Sequence, residues 1–204
     1  MGLEFCVSGE VLIPRQDTEL LVEEVLRDFH DSCSVLDMCT GSGCILISLL
    51  HYSNDCHGMG VDLSPGALEV AEQNGKRLLK DKTDDTRWKF IESDLFEKVQ
   101  GKFDVIVSNP PYIRTEVIPE LMEEVREHEP LLALDGKADG LYFYRRIINE
   151  GRSFLYSGGR LFLEIGYDQG EQVLKLMKQA GYKDVGLEKD YAGLDRVVYG
   201  RYEE

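Results

Sequence analysis

Residues 34–62 read SVLDMCTGSGCILISLLHYSNDCHGMGVD, and the order of elements in this stretch decides the fold. The run 34–38 is short and apolar and stops at Thr40-Gly41-Ser42-Gly43. Residues 44–50 are then apolar on nearly every side, as in a helix packed onto a sheet. Residues 57–61 form a second strand ending in Asp62, and Ser64 with Pro65 supplies the N-cap and first-turn proline of a helix reaching about residue 79. The reading is strand, tight turn, helix, strand.

Upstream, Asp17 is a suitable N-cap, and Val22, Val25, Leu26 and Phe29 recur as one buried helical stripe, so a first helix is expected over 17–30. Downstream, 80–86 (KDKTDDT) is a polar surface loop, and 88–91 and 103–108 read as strands. Residues 114–138 show no clean strand; six glutamates against Arg126 over 115–130 mark an acidic, partly helical insertion. Leu141, Tyr144 and Ile148 indicate a helix, 159–165 a strand, and Val173, Leu174, Met177 and Ala180 a helix closed by Gly181. The last strands, 182–188 and 196–201, are too close for a helical crossover and should pair antiparallel. The expected fold is an α/β three-layer sandwich on a seven-stranded, mostly parallel sheet with an antiparallel final strand. Such sheets bind ligands outside the carboxyl ends of their strands.

With 204 residues, 38 acidic and 23 basic side chains and a formal charge of −15, the chain reads as one globular domain over 1–204. That charge argues against attachment through a nucleic-acid phosphate backbone. No stretch approaches the roughly 18 apolar residues of a membrane span. Residues 1–10 hold two glutamates and no basic residue, unlike a signal peptide. Five cysteines without a CxxC pair suggest neither a disulfide framework nor a zinc knuckle, and His30, His51, His57 and His128 are scattered, so no metal is expected. A cytoplasmic monomer is the expectation.

Three features carry chemistry. Residues 37–43 (DMCTGSG) sit between strand and helix, where Gly41 and Gly43 let backbone N–H groups approach a ligand. The loop lacks the Gly-Lys-Ser/Thr ending of a phosphate loop, and Leu46 replaces the third glycine of the dinucleotide fingerprint. Asp62 ends the next strand at the offset where an acidic side chain accepts from ribose hydroxyls, which implies a nucleoside without bound pyrophosphate. Most specific is Asn109-Pro110-Pro111-Tyr112 after FDVIVS. Two prolines remove two backbone donors and hold the loop extended, so the Asn109 side-chain oxygen and the Pro110 carbonyl form an acceptor pocket suited to a planar NH2 group. Tyr112 offers it an aromatic face.

On these residues the chain resembles class I S-adenosylmethionine-dependent methyltransferases. More narrowly, it resembles the HemK/PrmC family, the N(5)-glutamine methyltransferases of peptide chain release factors. The resemblance runs through VLIPRQDTELLVE, VLDMCTGSGCILISL, VDLSPGALEVAEQN, ESDLFE, SNPPYI, EPLLALDGKADGL, GGRLFLEIG and AGLDRVV. It implies a Rossmann-like fold and S-adenosyl-L-methionine as cofactor, with Cys39, Thr40, Gly41, Ser42 and Gly43 around its methionine part. Asp62 would hold the ribose hydroxyls and Leu95, after Asp94, would lie near the adenine, with Leu63 and Asp94 also binding cofactor and Asn109 touching both cofactor and substrate. It further implies Asn109, Pro110 and Tyr112 as catalytic residues, Pro111 beside them, and Arg15 at the glutamine pocket. Cys39 stands where many relatives of this fold have glycine.

Family members carry a helical domain ahead of the IPRxxTE element, and this chain begins almost at that element. The implied partner is a release factor, whose basic surface the acidic segment 116–129 would attract. The alternative substrate is an exocyclic amine of adenine or guanine in nucleic acid, which the same pocket would fit.

Overall fold

Seven strands form one sheet in the computed structural model, which describes residues 1–29, 31–80 and 85–204. They are β1 (Ser34–Met38), β2 (His57–Asp62), β3 (Trp88–Glu92), β4 (Phe103–Ser108), β5 (Leu155–Glu164), β6 (Lys183–Lys189) and β7 (Asp195–Arg201). Their order across the sheet is β3-β2-β1-β4-β5-β7-β6. All pairs from β3 to β5 are parallel, and β7 runs antiparallel to both β5 and β6. The expected sheet, with its antiparallel final pair, is what forms.

Among the described residues the α-helices are α1 (Asp17–Asp28), α2 (Cys44–Tyr52), α3 (Pro65–Leu78), α4 (Glu123–His128), α5 (Leu131–Leu134), α6 (Tyr142–Gly151) and α7 (Gly170–Gln179), of which α1, α2, α3, α6 and α7 pack on the sheet. The period of two along the central strands divides the core. Leu36, Ile106, Leu161 and Leu163 pack with Tyr144, Ile147, Val173 and Met177 of α6 and α7. Val35, Val105, Val107 and Phe162 pack with Leu21, Val25, Ile45 and Leu49 of α1 and α2. A sheet buried on both faces needs apolar residues at both phases, and β1 is buried throughout.

Local signals mostly act as read. The Ser64 Oγ accepts from the Ala67 N–H at 3.2 Å, with Pro65 in the first turn. Gly181, at φ +89°, ends α7 with paired bonds from Gly181 N–H to Lys178 O and from Tyr182 N–H to Met177 O, a Schellman closure. Asp17 is a correction: it is the first residue of α1 and caps nothing. Gln16 is already helical, and the carbonyls of Arg15 and Gln16 accept from Thr18 and Glu19 N–H, leaving no role for a capping side chain. The Asp17 carboxylate instead lies 3.2 Å from the Arg196 guanidinium.

β5 begins at Leu155 rather than at 159, because the register jumps from Phe103–Leu155 to Val105–Arg160 and bulges out the residues between. The insertion contains a short 3-10 turn, α4 and α5, as its composition suggested. Among the described residues no helix is long and apolar enough to cross a membrane. His30 and residues 81–84 of the polar loop lie outside the described residues.

Candidate active site

The carboxyl ends of β1, β2, β3 and β4 open into one cavity of about 1000 Å³, its mouth included. At its floor the chain turns through three left-handed residues, Cys39 (φ +60°), Gly41 (+55°) and Gly43 (+77°). A non-glycine residue in that region typically costs about 1–2 kcal/mol, so Cys39 takes its place against preference. Asp37 is fully buried beneath the turn. Its Oδ2 accepts from Thr40 Oγ1 (2.6 Å) and Leu46 N–H (3.2 Å), while Oδ1 has no partner. Burial pushes the Asp37 carboxyl up to about 7 against those two bonds.

The two glycines do different work. A Cβ on Gly41 would meet nothing, so its backbone face is open to the cavity. A Cβ on Gly43 would stand 2.9 Å from Ile47 Cδ1 and 3.1 Å from Ala71 Cβ, so Gly43 is the point at which α2 and α3 close together behind the loop.

Asp62 fastens this turn to β2. Its Oδ2 accepts from Gly41 N–H at 2.9 Å and its Oδ1 from Ser64 N–H at 3.0 Å, and burial raises its pKa despite both bonds. At the end of β3, Ser93 N–H donates to Asp62 O, Arg146 holds the Asp94 carboxylate at 2.6 Å, and Leu95 is buried at φ +48°.

The Asn109-Pro110-Pro111-Tyr112 segment leaves β4 at the opposite wall. Ser108 Oγ donates to Met38 O at 2.5 Å, tying β4 to β1 directly below it. Gln169, buried, donates through Nε2 to Tyr112 O (3.0 Å) and Gly140 O (3.3 Å) and accepts Gly166 N–H on Oε1 (3.0 Å). A Cβ on Gly136 would stand 2.7 Å from the Tyr112 backbone. The insertion's ALDGKADG stretch therefore serves as a close backbone brace for this segment. Burial pushes the Tyr112 hydroxyl up to about 12, so it stays protonated.

Of the expected cofactor residues, Cys39 to Ser42, Asp62 with Leu63, and Asp94 with Leu95 border the cavity. Asn109 and Pro111 border it as well. Gly43 packs behind the wall, and neither Pro110 nor Tyr112 lines the cavity. Arg15 lines a neighbouring cleft that shares Pro14, Thr18 and Cys44 with it. There it pairs with Glu129, whose side chain is 3% exposed.

Removing that partner leaves a buried carboxylate alone. Because Arg15 itself is 44% exposed, the cost is discounted to about 1 kcal/mol. An Arg15→Ala variant is expected to melt about 2–4 °C lower with unchanged affinity for S-adenosylhomocysteine. An unchanged melting temperature would show that the ion pair adds nothing.

Several contributors escaped sequence reasoning. Val11 and Leu12 of the N-terminal strap and Phe143 of α6 line the cavity, and Glu164 ends β5 beside Asn109. Asn74 locks the strap in place through Cys6 N–H (2.8 Å), Cys6 O (2.9 Å) and Ser42 O (3.0 Å).

Residues 15–129 match the family model described as Methyltransferase small domain. The release factor glutamine methyltransferase of Geobacter sulfurreducens is 44% identical over 98% of this chain and 69% of its own length. That of Clostridium acetobutylicum is 44% identical over 97% of this chain and 70% of its own. A crystal structure of the protein-(glutamine-N5) methyltransferase (release factor-specific) from Alicyclobacillus acidocaldarius superposes with a TM-score of 0.56 at 30% identity, covering 98% of this chain and all of that one.

Proposed function

The chain belongs to the release factor glutamine methyltransferases, and from that premise we propose that its residues 1–204 are a catalytic domain moving a methyl group from S-adenosylmethionine to a release-factor glutamine. The observation that carries the detailed reading is the meeting of Asn109 with the Gly41–Asp62 turn on one cavity. Catalysis by positioning alone needs both reactants held on one path.

The residues fit the cofactor. Asp62 stands at a strand end with lone pairs beyond those bonded to Gly41 and Ser64 N–H. Gly41 leaves its backbone face open, and Leu95, Phe143 and Ala133 give apolar walls for a flat base. The carboxylates of Asp62 and Asp94 on the cavity wall make the surroundings acidic, favouring a positively charged ligand. When bound, the cofactor supplies an electrophilic methyl group on a sulfonium.

The chain's own residues supply the remainder. An amide nitrogen is a poor nucleophile because its lone pair is conjugated with the carbonyl; the roughly 18–20 kcal/mol rotation barrier of peptide amides measures that conjugation. We assign the Asn109 side-chain oxygen, on the cavity wall, and the Pro110 carbonyl, which stands off that wall, as acceptors for the two N–H bonds of the glutamine NH2. They orient its nitrogen and stabilise the positive charge that builds there. Tyr112, protonated and braced through Gln169, stands off the cavity and holds the end of the Asn109 segment in place. The first step needs no general base, and the proton leaves to solvent. Capture of the factor draws on the acidic rim 116–129, in a cytoplasmic enzyme acting as a monomer.

Labelled-methyl transfer with release factor, RNA and DNA offered in parallel tests this function. Label is expected on the factor alone, and none on a factor whose glutamine is replaced. Label on RNA or DNA would move the assignment to an exocyclic amine of adenine or guanine.

A further inference from the structure

We propose that Glu164 is the positioning residue that decides which way the Asn109 amide faces, drawing its NH2 inward and leaving its oxygen toward the cavity. The inference rests on the acceptor role given to Asn109 above. It starts from an ambiguity: the two ends of an amide have nearly the same shape, so an Asn in a wall can offer a donor or an acceptor. Only groups behind it can choose.

The sheet register puts Glu164 behind it. β4 and β5 pair Ser108 with Leu163, so Asn109 and Glu164 are the next residues along two adjacent parallel strands, with side chains on the same face as Val107 and Phe162. That face is the one covered by α1. Glu164 is 2% exposed, its Oε2 has no partner, and it does not border the cavity, so it acts through a neighbour and not on substrate.

Thr18 and Asp17 face Glu164 from α1, Cys44 from α2, Tyr144 from α6, Arg196 from β7 and Asn109 from the end of β4, with Tyr112 just beyond. Thr18 and Asn109 approach with hydrogen-bonding side chains, and Asp17 opposes the charge that Arg196 favours. An ionised carboxylate only accepts, so it requires the NH2 end of Asn109.

A protonated Glu164 could donate instead, which would let the amide turn and present NH2 to a substrate that needs an acceptor. Burial pushes the Glu164 carboxyl up to about 7. The working form is the ionised one, so turnover should fall as pH drops through this range. Arg196 keeps Asp190 at 2.9 Å and Asp17 at 3.2 Å whatever occupies position 164, so replacement there does not strand it.

Two measurements on the whole chain test the assignment. In the wild type, the side-chain NH2 resonances of Asn109 should shift with pH at the same midpoint as the Glu164 carboxyl carbon, and stop doing so in Glu164→Gln. In methyl transfer, Glu164→Leu should lose about 10- to 100-fold in kcat, on the order of what a misplacement of about 1 Å at a reacting centre costs, at unchanged affinity for S-adenosylhomocysteine. Glu164→Gln, which like the protonated acid offers both a donor and an acceptor to Asn109, should hold turnover near the wild type's acid-limb level at every pH and lose the limb.

Asn109 resonances indifferent to Glu164, an unchanged kcat in Glu164→Leu, or the same acid limb in Glu164→Gln would overturn the proposal. If Glu164→Leu does not fold, the wild-type resonances decide. A wild type that methylates no glutamine would instead remove the function proposed above, and the resonances would still decide this one.

Discussion

An Asn109→Ala variant is expected to lose about 10²- to 10³-fold in turnover while folding normally, since that is the usual effect of deleting one preorganised electrostatic contact. The side chain borders the cavity, so truncation removes an acceptor there and takes no apolar side chain from the core. Its oxygen is one of the two acceptors for the glutamine NH2, and the Pro110 carbonyl stays in place. Affinity for S-adenosylhomocysteine should fall far less than turnover. Single-turnover methyl transfer beside calorimetry separates the two. Of the described histidines, His51, His57 and His128 all stand away from the cavity. If replacing a histidine abolished transfer while Asn109→Ala stayed active, acceptor catalysis would be the wrong mechanism.

Asp62→Ala should be nearly inert toward cofactor. The carboxylate accepts Gly41 and Ser64 N–H and is placed to accept ribose hydroxyls as well. Hydrogen bonds to a charged group contribute roughly 1.5–3 kcal/mol each, so losing two to a ribose lowers affinity by about 10²-fold or more. Freeing the Gly41 N–H also loosens the turn. Asp62→Asn retains an acceptor and should fall between the two. Undiminished binding of S-adenosylhomocysteine by Asp62→Ala would reduce Asp62 to a backbone fastener.

What could be read in advance was whatever a short window encodes. The period-two and period-3.6 patterns gave the layers, and Ser64-Pro65 and Gly181 gave helix ends, because their partners lie within a few residues. The glycine turn, Asp62 and Asn109-Pro110-Pro111-Tyr112 were legible because strand ends of a parallel sheet converge on one edge.

Glu164 and Gln169 were not legible, since their partners lie 55 and 57 positions away and are set by strand register and by the insertion's fold. An isolated Glu in LFLEIG looks like any strand-end carboxylate. Asp17 failed for the opposite reason: its local pattern was right for a cap, but Gln16 had already taken the helical conformation and Arg196 offered a charged partner from the far end of the chain. Arg15 stands between these cases, reached by resemblance and found paired with Glu129.

The orphaned oxygen beneath the glycine turn has a thermodynamic side. Asp37 titrates near its ordinary 3.8 when unfolded and at about 7 when folded, so between those values the folded chain holds a proton that the unfolded chain has released. Folding is then coupled to proton uptake, and the sign follows: Asp37's contribution is most favourable below its unfolded pKa and is lost as pH rises toward and past 7. The ligand-free protein should therefore gain stability on mild acidification. Asp37→Asn, which keeps acceptors for Thr40 and Leu46, should flatten that slope between about pH 4 and 7 in denaturant titrations. An identical slope in both proteins would mean that the carboxyl is not the group taking up the proton.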